Sequence, residues 1–368
     1  MQSIKVKGSY LLLLLVIPLF SNFCKAQSAG VLYGMTRTGG ANSIGAIFSY
    51  DPVSKKITLL HSPFGPDGQN PQGSMIQDTN GLLYGTFSAG GVNGEGTVFS
   101  LNPVTGGYLK LHDFIDSNGA YPLGGLAIGN DGQLYGTAYE MGSVVGSPYG
   151  TLFSYDINNS VVYTRLNFNG FIGIYPHGTP VVDTNGLLYT FSNVDPYPNS
   201  GSIVNYNPTK NSDSLLWVFN TSAGSSPSGA SPTGSLIQAG NGLLYGFTSQ
   251  GGAQDSGVLF SYNITTGVQT VLVNFTKSLG TYPLGSLLQA SDSNLYGMTS
   301  LGGANNMGTI FKYNINTATI TSLFSFGGAN GANPQGSFIQ ADDSLLYGMT
   351  LSGGANNEGA IVSFNITT

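Results

Sequence analysis

Leu295-Tyr296-Gly297-Met298-Thr299 is the stretch that decides the fold, because the chain contains seven copies of it with small changes. Successive copies lie 51, 51, 54, 56, 51 and 51 residues apart, with their tyrosines at Tyr33, Tyr84, Tyr135, Tyr189, Tyr245, Tyr296 and Tyr347. A repeat of about 50 residues holds four short strands, which is the content of one propeller blade. The sequence therefore predicts an all-β, seven-bladed β-propeller with four-stranded antiparallel blades.

The sixth copy shows the four predicted strands most clearly. An inner strand over residues 283–289 is followed by a turn, by the second strand with Tyr296, and by the pair Gly302-Gly303. The third and outer strands follow over residues 308–314 and 320–326. Turns such as Asp78-Thr79-Asn80-Gly81 contain Asn and Gly, which accept positive φ and connect antiparallel strands tightly. Since every copy keeps the tyrosine, we expect it to be a core residue.

The two ends of the repeat array lack one strand each. The first copy begins at its second strand and the last copy ends after its third, so 26 strands are recognisable where seven full blades need 28. The sequence therefore predicts that the first and last blades are incomplete.

The repeat resembles known families. A tyrosine strand, a Gly-Gly pair and a strand that ends in Tyr-Asp or Tyr-Asn resemble a Kelch-type blade. The pattern Leu-Tyr-Gly-Met-Thr, Gly-Gly and Gly-(Thr/Ala)-Ile-Phe is more similar to the GloVer-type tandem repeat of bacterial exported proteins. This resemblance covers residues 31–368 and implies an exported repeat protein of unassigned activity.

The first 26 residues have the features of a signal peptide. Lys5 and Lys7 precede an apolar run of about 11 residues, and small residues precede Gln27. That run is shorter than the roughly 20 residues that a membrane span needs. We therefore expect cleavage after residue 26, which leaves one propeller domain, residues 27–368, without a membrane span. The alternative is a lipid on Cys24, the only cysteine of the chain.

The charge of the mature chain argues against nucleic acid as a partner. Without residues 1–26, the chain contains eight Lys and Arg residues and 17 Asp and Glu residues, so its net charge is negative. Such a surface repels phosphate backbones.

Two sets of variable positions are the candidate ligand-binding residues. The connection into the inner strand and the loop between the second and third strands leave a blade on the same face, and both are long here. The first set directly follows a repeated proline: Gln72, Leu123, His177, Thr233, Leu284 and Gln335. The second directly precedes the glycine of the third strand, and its candidates are Glu95, Tyr149, Met307 and Glu358, with Ile44, Ser200 and Ser256 at the same position. These sets would form two rings at the mouth of the central channel, or they reflect drift at unconstrained loop sites.

Enzyme chemistry has little support in the sequence. Glycosidases need two carboxylates about 5 to 10 Å apart, whereas Glu95, Glu140 and Glu358 fall in different repeats. His61 and His112 occupy a packing position on the outer strand. We predict no catalytic residue, no metal and no cofactor, since 66–68 and 116–119 lack a full set of calcium ligands.

These observations predict a secreted or cell-surface, monomeric propeller. It would act as a non-enzymatic binding module for a carbohydrate or protein through its loop-rich face. The alternatives are a polysaccharide-active hydrolase or lyase, and a structural surface repeat without a specific ligand.

Overall fold

A computed structural model describes residues 2–3, 24–25, 30–142, 149–194, 200–219 and 226–367 of the chain. At residues 2–3 and 24–25 it describes the backbone only. The strands form seven antiparallel sheets, one for each repeat, which confirms the seven-bladed β-propeller. The helical content of these ranges is one short 3₁₀ helix, Asp116–Asn118. None of the helical structure described is long and apolar enough to cross a membrane.

The strands of the first four blades, from inner to outer, have the following bounds. Blade 1 contains Cys24–Lys25, Leu32–Thr36, Ala46–Asp51 and Lys56–His61. Blade 2 contains Ile76–Gln77, Leu83–Phe87, Thr97–Leu101 and Tyr108–Asp113. Blade 3 contains Ala127–Ile128, Leu134–Ala138, Thr151–Asp156 and Val161–Asn167. Blade 4 contains Ile174–Val182, Leu188–Val194, Ser202–Asn207 and Ser212–Val218.

The remaining blades follow the same order. Blade 5 contains Ala230–Gln238, Leu244–Gln250, Val258–Asn263 and Val268–Asn274. Blade 6 contains Leu288–Gln289, Leu295–Thr299, Thr309–Asn314 and Thr319–Ser325. Blade 7 has an inner strand in two pieces, Ala332–Pro334 and Ile339–Gln340, followed by Leu345–Ser352 and Ala360–Asn365, and its outer strand is Gln2–Ser3.

The prediction that the terminal blades are incomplete is wrong. Cys24–Lys25 pairs with Leu32 and Tyr33 as the inner strand of blade 1. Gln2–Ser3 pairs with Val362 and Ser363 as the outer strand of blade 7. Neither strand was visible in the sequence because both lie before the first repeat. Both also lie in the predicted signal peptide, so cleavage after residue 26 would remove them.

The fourth blade is regular in its described part, although its repeat is the most divergent of the seven. Its four strands have nine, seven, six and seven residues. The segments that make its sequence divergent, 195–199 and 220–225, lie outside the described residues.

The repeated tyrosine is buried in every blade, and in most blades it also forms a hydrogen bond with a turn residue. Its hydroxyl donates to an aspartate carboxylate in the turn between the inner and second strands in five blades, for example from Tyr296 to Asp292 Oδ2 at 2.7 Å and from Tyr347 to Asp343 Oδ2 at 2.6 Å. In blade 5 the amide of Asn241 donates to Tyr245 instead, at 2.8 Å. The structural role predicted for this residue is thus confirmed.

The core consists of seven hydrophobic clusters, one between each pair of neighbouring blades. The cluster between blades 7 and 1 closes the circle: Ala341, Tyr347 and Met349 pack against Leu32, Phe48 and Tyr50. Apolar burial of this kind is the main favourable term in folding. Ring closure therefore does not depend on the two short N-terminal strands alone.

The inner strands bulge toward one another around the axis. In blades 4 and 5 the pairing with the second strand is interrupted after His177 and after Thr233. The glycines of these bulges, Gly178 and Gly234, lie against the backbone of the next blade. Gly285, at the same position of blade 6, does so too, and a Cβ on it would overlap the carbonyl of Gly336. Only glycine allows such an approach.

Hydroxyl groups connect the same bulges from blade to blade. A backbone N–H donates to the next blade's hydroxyl at four successive interfaces, with distances of 2.7 to 3.0 Å: from Gly125 to Thr179, from Thr179 to Ser235, from Ser235 to Ser286, and from Ser286 to Ser337. Blade 3 has Gly125 at this position, so it offers no hydroxyl to blade 2. The inner edges of blades 3 to 7 are thus hydrogen-bonded to one another in succession.

Candidate functional site

In blades 2, 5, 6 and 7 the two long connections lie on one face, as predicted. In blade 2 the N–H of Gly91, in the loop after the second strand, donates to the carbonyl of Gly65 in the connection into the blade, at 2.9 Å. Equivalent bonds join Gly252 to Ser226, Gly303 to Lys277 and Gly354 to Gly328. We call this the loop-rich face. The opposite face has the tight turns, where an Asp or Asn caps the connection to the outer strand, as Asp51 does for Val53 and Ser54.

Two residues of the first ring of candidates form hydrogen bonds between blades. All six are half-buried: Gln72, Leu123, His177, Thr233, Leu284 and Gln335. Thr233 donates to the carbonyl of Pro283 in the next blade at 2.8 Å, and His177 makes the equivalent bond to Pro232. Gln72 donates to Ser88 of its own blade at 3.2 Å. These side chains connect structural elements in addition to any contact with a ligand.

His177 is a poor general base. Its Nδ1 is buried without a hydrogen-bond partner, and burial lowers the pKa of its imidazole to about 4. The ring as a whole keeps some exposed surface. At neutral pH the ring is therefore uncharged.

The second ring is joined to the following blade through its backbone. At six interfaces its carbonyls accept a hydrogen bond, of 2.8 to 3.2 Å, from the residue before the next repeated proline: Ile44 from Asn70, Glu95 from Tyr121, Tyr149 from Tyr175, Ser200 from Ser231, Ser256 from Tyr282, and Met307 from Asn333. The structure thus brings the two predicted rings side by side. Glu358 is half-buried at the same position of blade 7.

The residues before the repeated prolines form a third set, which the sequence reasoning missed. Asn70, Tyr121, Tyr175, Ser231, Tyr282 and Asn333 all have left-handed φ values between 53° and 57°. A residue before proline normally adopts an extended conformation, and a left-handed tyrosine costs about 1 kcal/mol or more. Asparagine at two of the six positions was the available signal, because it tolerates this region best.

Four tyrosines come together on the loop-rich face at blades 3 and 4. The tyrosine cluster consists of Tyr121, Tyr139, Tyr149 and Tyr175. The rings of Tyr139 and Tyr175 stack across the two blades, with centroids 4.9 Å apart and planes at 20°. Tyr121 keeps 37% of its surface exposed, and the other three are half-buried. Only Tyr149 was among the predicted site residues.

Beside the tyrosine cluster, two carboxyl groups meet. Glu95 of blade 2 contacts Asp116 in the connection to blade 3. Glu95 Oε2 is buried without a donor from the rest of the protein, so two carboxylates can share a hydrogen bond here only if one is protonated. Burial, the hydrogen bond with Asp116 and its negative charge together raise the pKa of Glu95 to about 7. The sequence did not predict this pair because its members belong to different repeats.

His61 and His112 are packed residues, in agreement with the prediction. His61 stacks on Tyr108 of the next blade at 3.9 Å, with its Nε2 3.3 Å from Asp67. His112 lies 2.9 Å from the amide of Asn118. Burial lowers the pKa of both imidazoles. Among the described residues, no three His, Cys, Asp or Glu side chains are close enough to hold a metal ion.

Comparison with known proteins identifies the repeat and the fold. The family of the Gloeobacter/Verrucomicrobia repeat matches residues 21–195 and 193–368. A predicted 6-phosphogluconolactonase from Bacteroides fragilis is similar in structure, with a TM-score of 0.56 and 14% identity over 94% of this chain and 93% of that one. Another, from Bacteroides uniformis, has a TM-score of 0.54 and 14% identity, over 84% and 85%. At such identity the likeness concerns the fold alone. A search of curated proteins found no match.

Proposed function

The chain belongs to the family of the Gloeobacter/Verrucomicrobia repeat, and we propose that it is an exported, non-enzymatic binding module that recognises a carbohydrate or protein ligand with its loop-rich face. One observation carries this proposal. Positions that build the core recur in every blade, whereas positions on the loop-rich face vary, and in the sector of blades 3 and 4 they bring four partly exposed tyrosines together. Tyrosine is enriched in recognition surfaces because its ring offers contact area at little entropic cost.

Binding is tested with the purified protein on an array of cell-wall polysaccharides and extracellular proteins. We expect a ligand whose binding is lost in Tyr149→Ala, on the loop-rich face. The matched control is Val104→Ser, which changes a side chain that is 91% exposed in a turn of the opposite face. Binding that depends equally on both variants, or no binding at all, would contradict the proposal.

Export is tested by the mass of the protein recovered outside the cytoplasm. We propose that the chain found there begins at Gln27. A cytoplasmic protein that retains Met1 would contradict this part of the proposal.

A polysaccharide-active enzyme is the second candidate, and the Glu95–Asp116 pair is the observation that favours it. A carboxyl group with a pKa of about 7 is partly protonated at neutral pH and can act as a general acid. However, two carboxyl groups in hydrogen-bond contact are closer than the separation of about 5 Å or more in glycosidases. The test is the release of new chain ends from polysaccharides, which the variant Glu95→Gln would abolish if this pair were catalytic.

A further inference from the structure

The geometry points to a saccharide-binding subsite on the tyrosine cluster of blades 3 and 4, flanked by the Glu95–Asp116 carboxyl pair. This inference rests on the proposed function and names the ligand class and the sector of the loop-rich face that binds it.

The first step is a comparison of equivalent positions within the chain. Tyr139 stands four residues after the repeated tyrosine, where blades 2, 5 and 6 have Ser88, Ser249 and Ser300. Tyr149 occupies the position of Ser200 and Ser256. In other blades Ser88 and Ser249 use their hydroxyls to bond the backbone of the facing strand. Blade 3 thus has a tyrosine where three other blades have serine, and a second tyrosine at a position that varies from blade to blade.

The second step is that these rings keep exposed surface on the loop-rich face, although Tyr149 also packs against the cluster between blades 3 and 4. The buried members of the seven interface clusters are at most 9% exposed, while the four tyrosines retain more exposed surface. Tyr139 and Tyr175 stack on each other, and the carbonyl of Tyr121 accepts the N–H of Tyr139 at 3.1 Å. The stacked rings of Tyr139 and Tyr175 therefore make an aromatic surface that spans two blades, and backbone hydrogen bonds place Tyr121 and Tyr149 next to these two residues.

The third step is preorganisation. Tyr121 and Tyr175 each have a φ of 57°, and their N–H groups donate to the carbonyls of Glu95 and Tyr149 at 2.8 and 2.9 Å. The hydrogen bonds hold the strained backbone in place. A rigid surface binds with a smaller loss of entropy than a mobile one, and strained backbone concentrates at functional sites.

The fourth step identifies the ligand chemistry. Tyrosine rings present flat apolar faces with a polar hydroxyl at the edge, which suits a sugar ring with one C–H face and hydroxyls around it. Glu95 is joined to Tyr121 through its backbone, and its neighbour Asp116 is exposed and supplies carboxyl oxygens that accept hydrogen bonds from hydroxyls. The negative charge of these groups and of the whole chain, −6, disfavours acidic ligands. A neutral saccharide fits these conditions best.

The experiment measures the affinity of the full chain for neutral hexasaccharides of glucose, xylose and N-acetylglucosamine by titration calorimetry. The test variants are Tyr139→Ser and Tyr175→Asn, since each restores a residue that the chain itself uses at that position. The matched control is Tyr282→Asn, because Tyr282 has the same left-handed conformation and 39% exposure but faces Ser300 instead of a tyrosine. Circular dichroism verifies that each variant is folded.

We expect both test variants to lower the affinity for at least one hexasaccharide by about tenfold or more, which corresponds to the free energy of one lost aromatic contact. Tyr282→Asn should leave this affinity unchanged. Saccharide binding that is insensitive to Tyr139→Ser and Tyr175→Asn would overturn the subsite and leave the proposed function standing. Binding of a proline-rich peptide instead of any saccharide would overturn the ligand class. Binding of neither would overturn this inference, while the array of polysaccharides and extracellular proteins decides whether the proposed function also fails.

Discussion

At the scale of single residues, the repeated tyrosine shows how one side chain serves both core and turn. Its ring fills the interface between blades, and its hydroxyl reaches an aspartate in the turn of its own blade. The recurrence of the tyrosine predicted the first role. The second depends on a carboxylate at the right place in the turn, which the differing turn sequences obscured.

Removal of one tyrosine hydroxyl tests the turn contact. We expect Tyr347→Phe to lower the free energy of unfolding by about 1.5 kcal/mol or more, because a hydrogen bond to a carboxylate is lost. The matched variant Tyr245→Phe should lose about 0.5 to 1 kcal/mol, since its partner is the neutral Asn241. Urea unfolding measures both, and equal losses would contradict the assignment.

His177 makes stability depend on pH. Its pKa is about 4 in the folded protein and about 6.5 in the unfolded chain, so only the unfolded chain gains a proton as the pH falls through this window. The free energy of unfolding should therefore decrease from about pH 6.5 to about pH 4, by at most about 3 kcal/mol. Because the ring is partly exposed, we expect a smaller value.

The variant His177→Leu checks this prediction, since Leu123 and Leu284 occupy the same position in other blades. It should remove the part of the acid sensitivity that comes from His177. The free energy of unfolding of both proteins is measured by urea unfolding at pH 7, 5.5 and 4.5. If it decreases equally with falling pH in the two proteins, the prediction is refuted.

At the scale of elements, the inner strands determine how closely the blades approach one another. Their glycine bulges bring backbones into contact, and serine or threonine hydroxyls bond the N–H groups of the preceding blade. The sequence predicted the strands and the tight turns that connect them in antiparallel order. It did not predict the bulges, because a glycine with a close neighbour in another blade cannot be distinguished locally from a turn glycine.

Gly285→Ala tests the close approach. Its added methyl group would overlap the carbonyl of Gly336. We therefore expect the free energy of unfolding to fall by about 3 kcal/mol or more, or the protein to fail to fold. Gly65→Ala is the control, because a methyl group added there would meet no atom within 4 Å and the φ of Gly65 is not left-handed. Thermal unfolding followed by circular dichroism distinguishes them, and similar midpoints would argue against the bulge geometry.

At the scale of the whole molecule, closure combines an apolar interface with short strands from the N-terminus. The cluster between blades 7 and 1 lies within residues 30–367. The pairings of Gln2–Ser3 and Cys24–Lys25 each involve two residues. The apolar interface thus contributes the larger part of closure, and the strands add a few backbone hydrogen bonds.

A protein that begins at Gln27 should therefore remain a folded, monomeric propeller. We expect it to be less stable than the full chain by about 1 to 4 kcal/mol, the value of a few lost backbone hydrogen bonds. Light scattering and urea unfolding of the two proteins test this. An unfolded or aggregated 27–368 fragment would show that the N-terminal strands are needed for closure and would weigh against cleavage at residue 26.

The sequence by itself determined the seven blades, their strand order, the role of the repeated tyrosine and the face that has the long loops. It could do so because these properties depend on a local period that one chain repeats seven times. Only the tertiary structure decided which residues from different blades meet. The stack of Tyr139 on Tyr175, the Glu95–Asp116 pair and the left-handed residues before proline all depend on how one blade is set against the next. The two closing strands lie outside the repeat, so no period could reveal them.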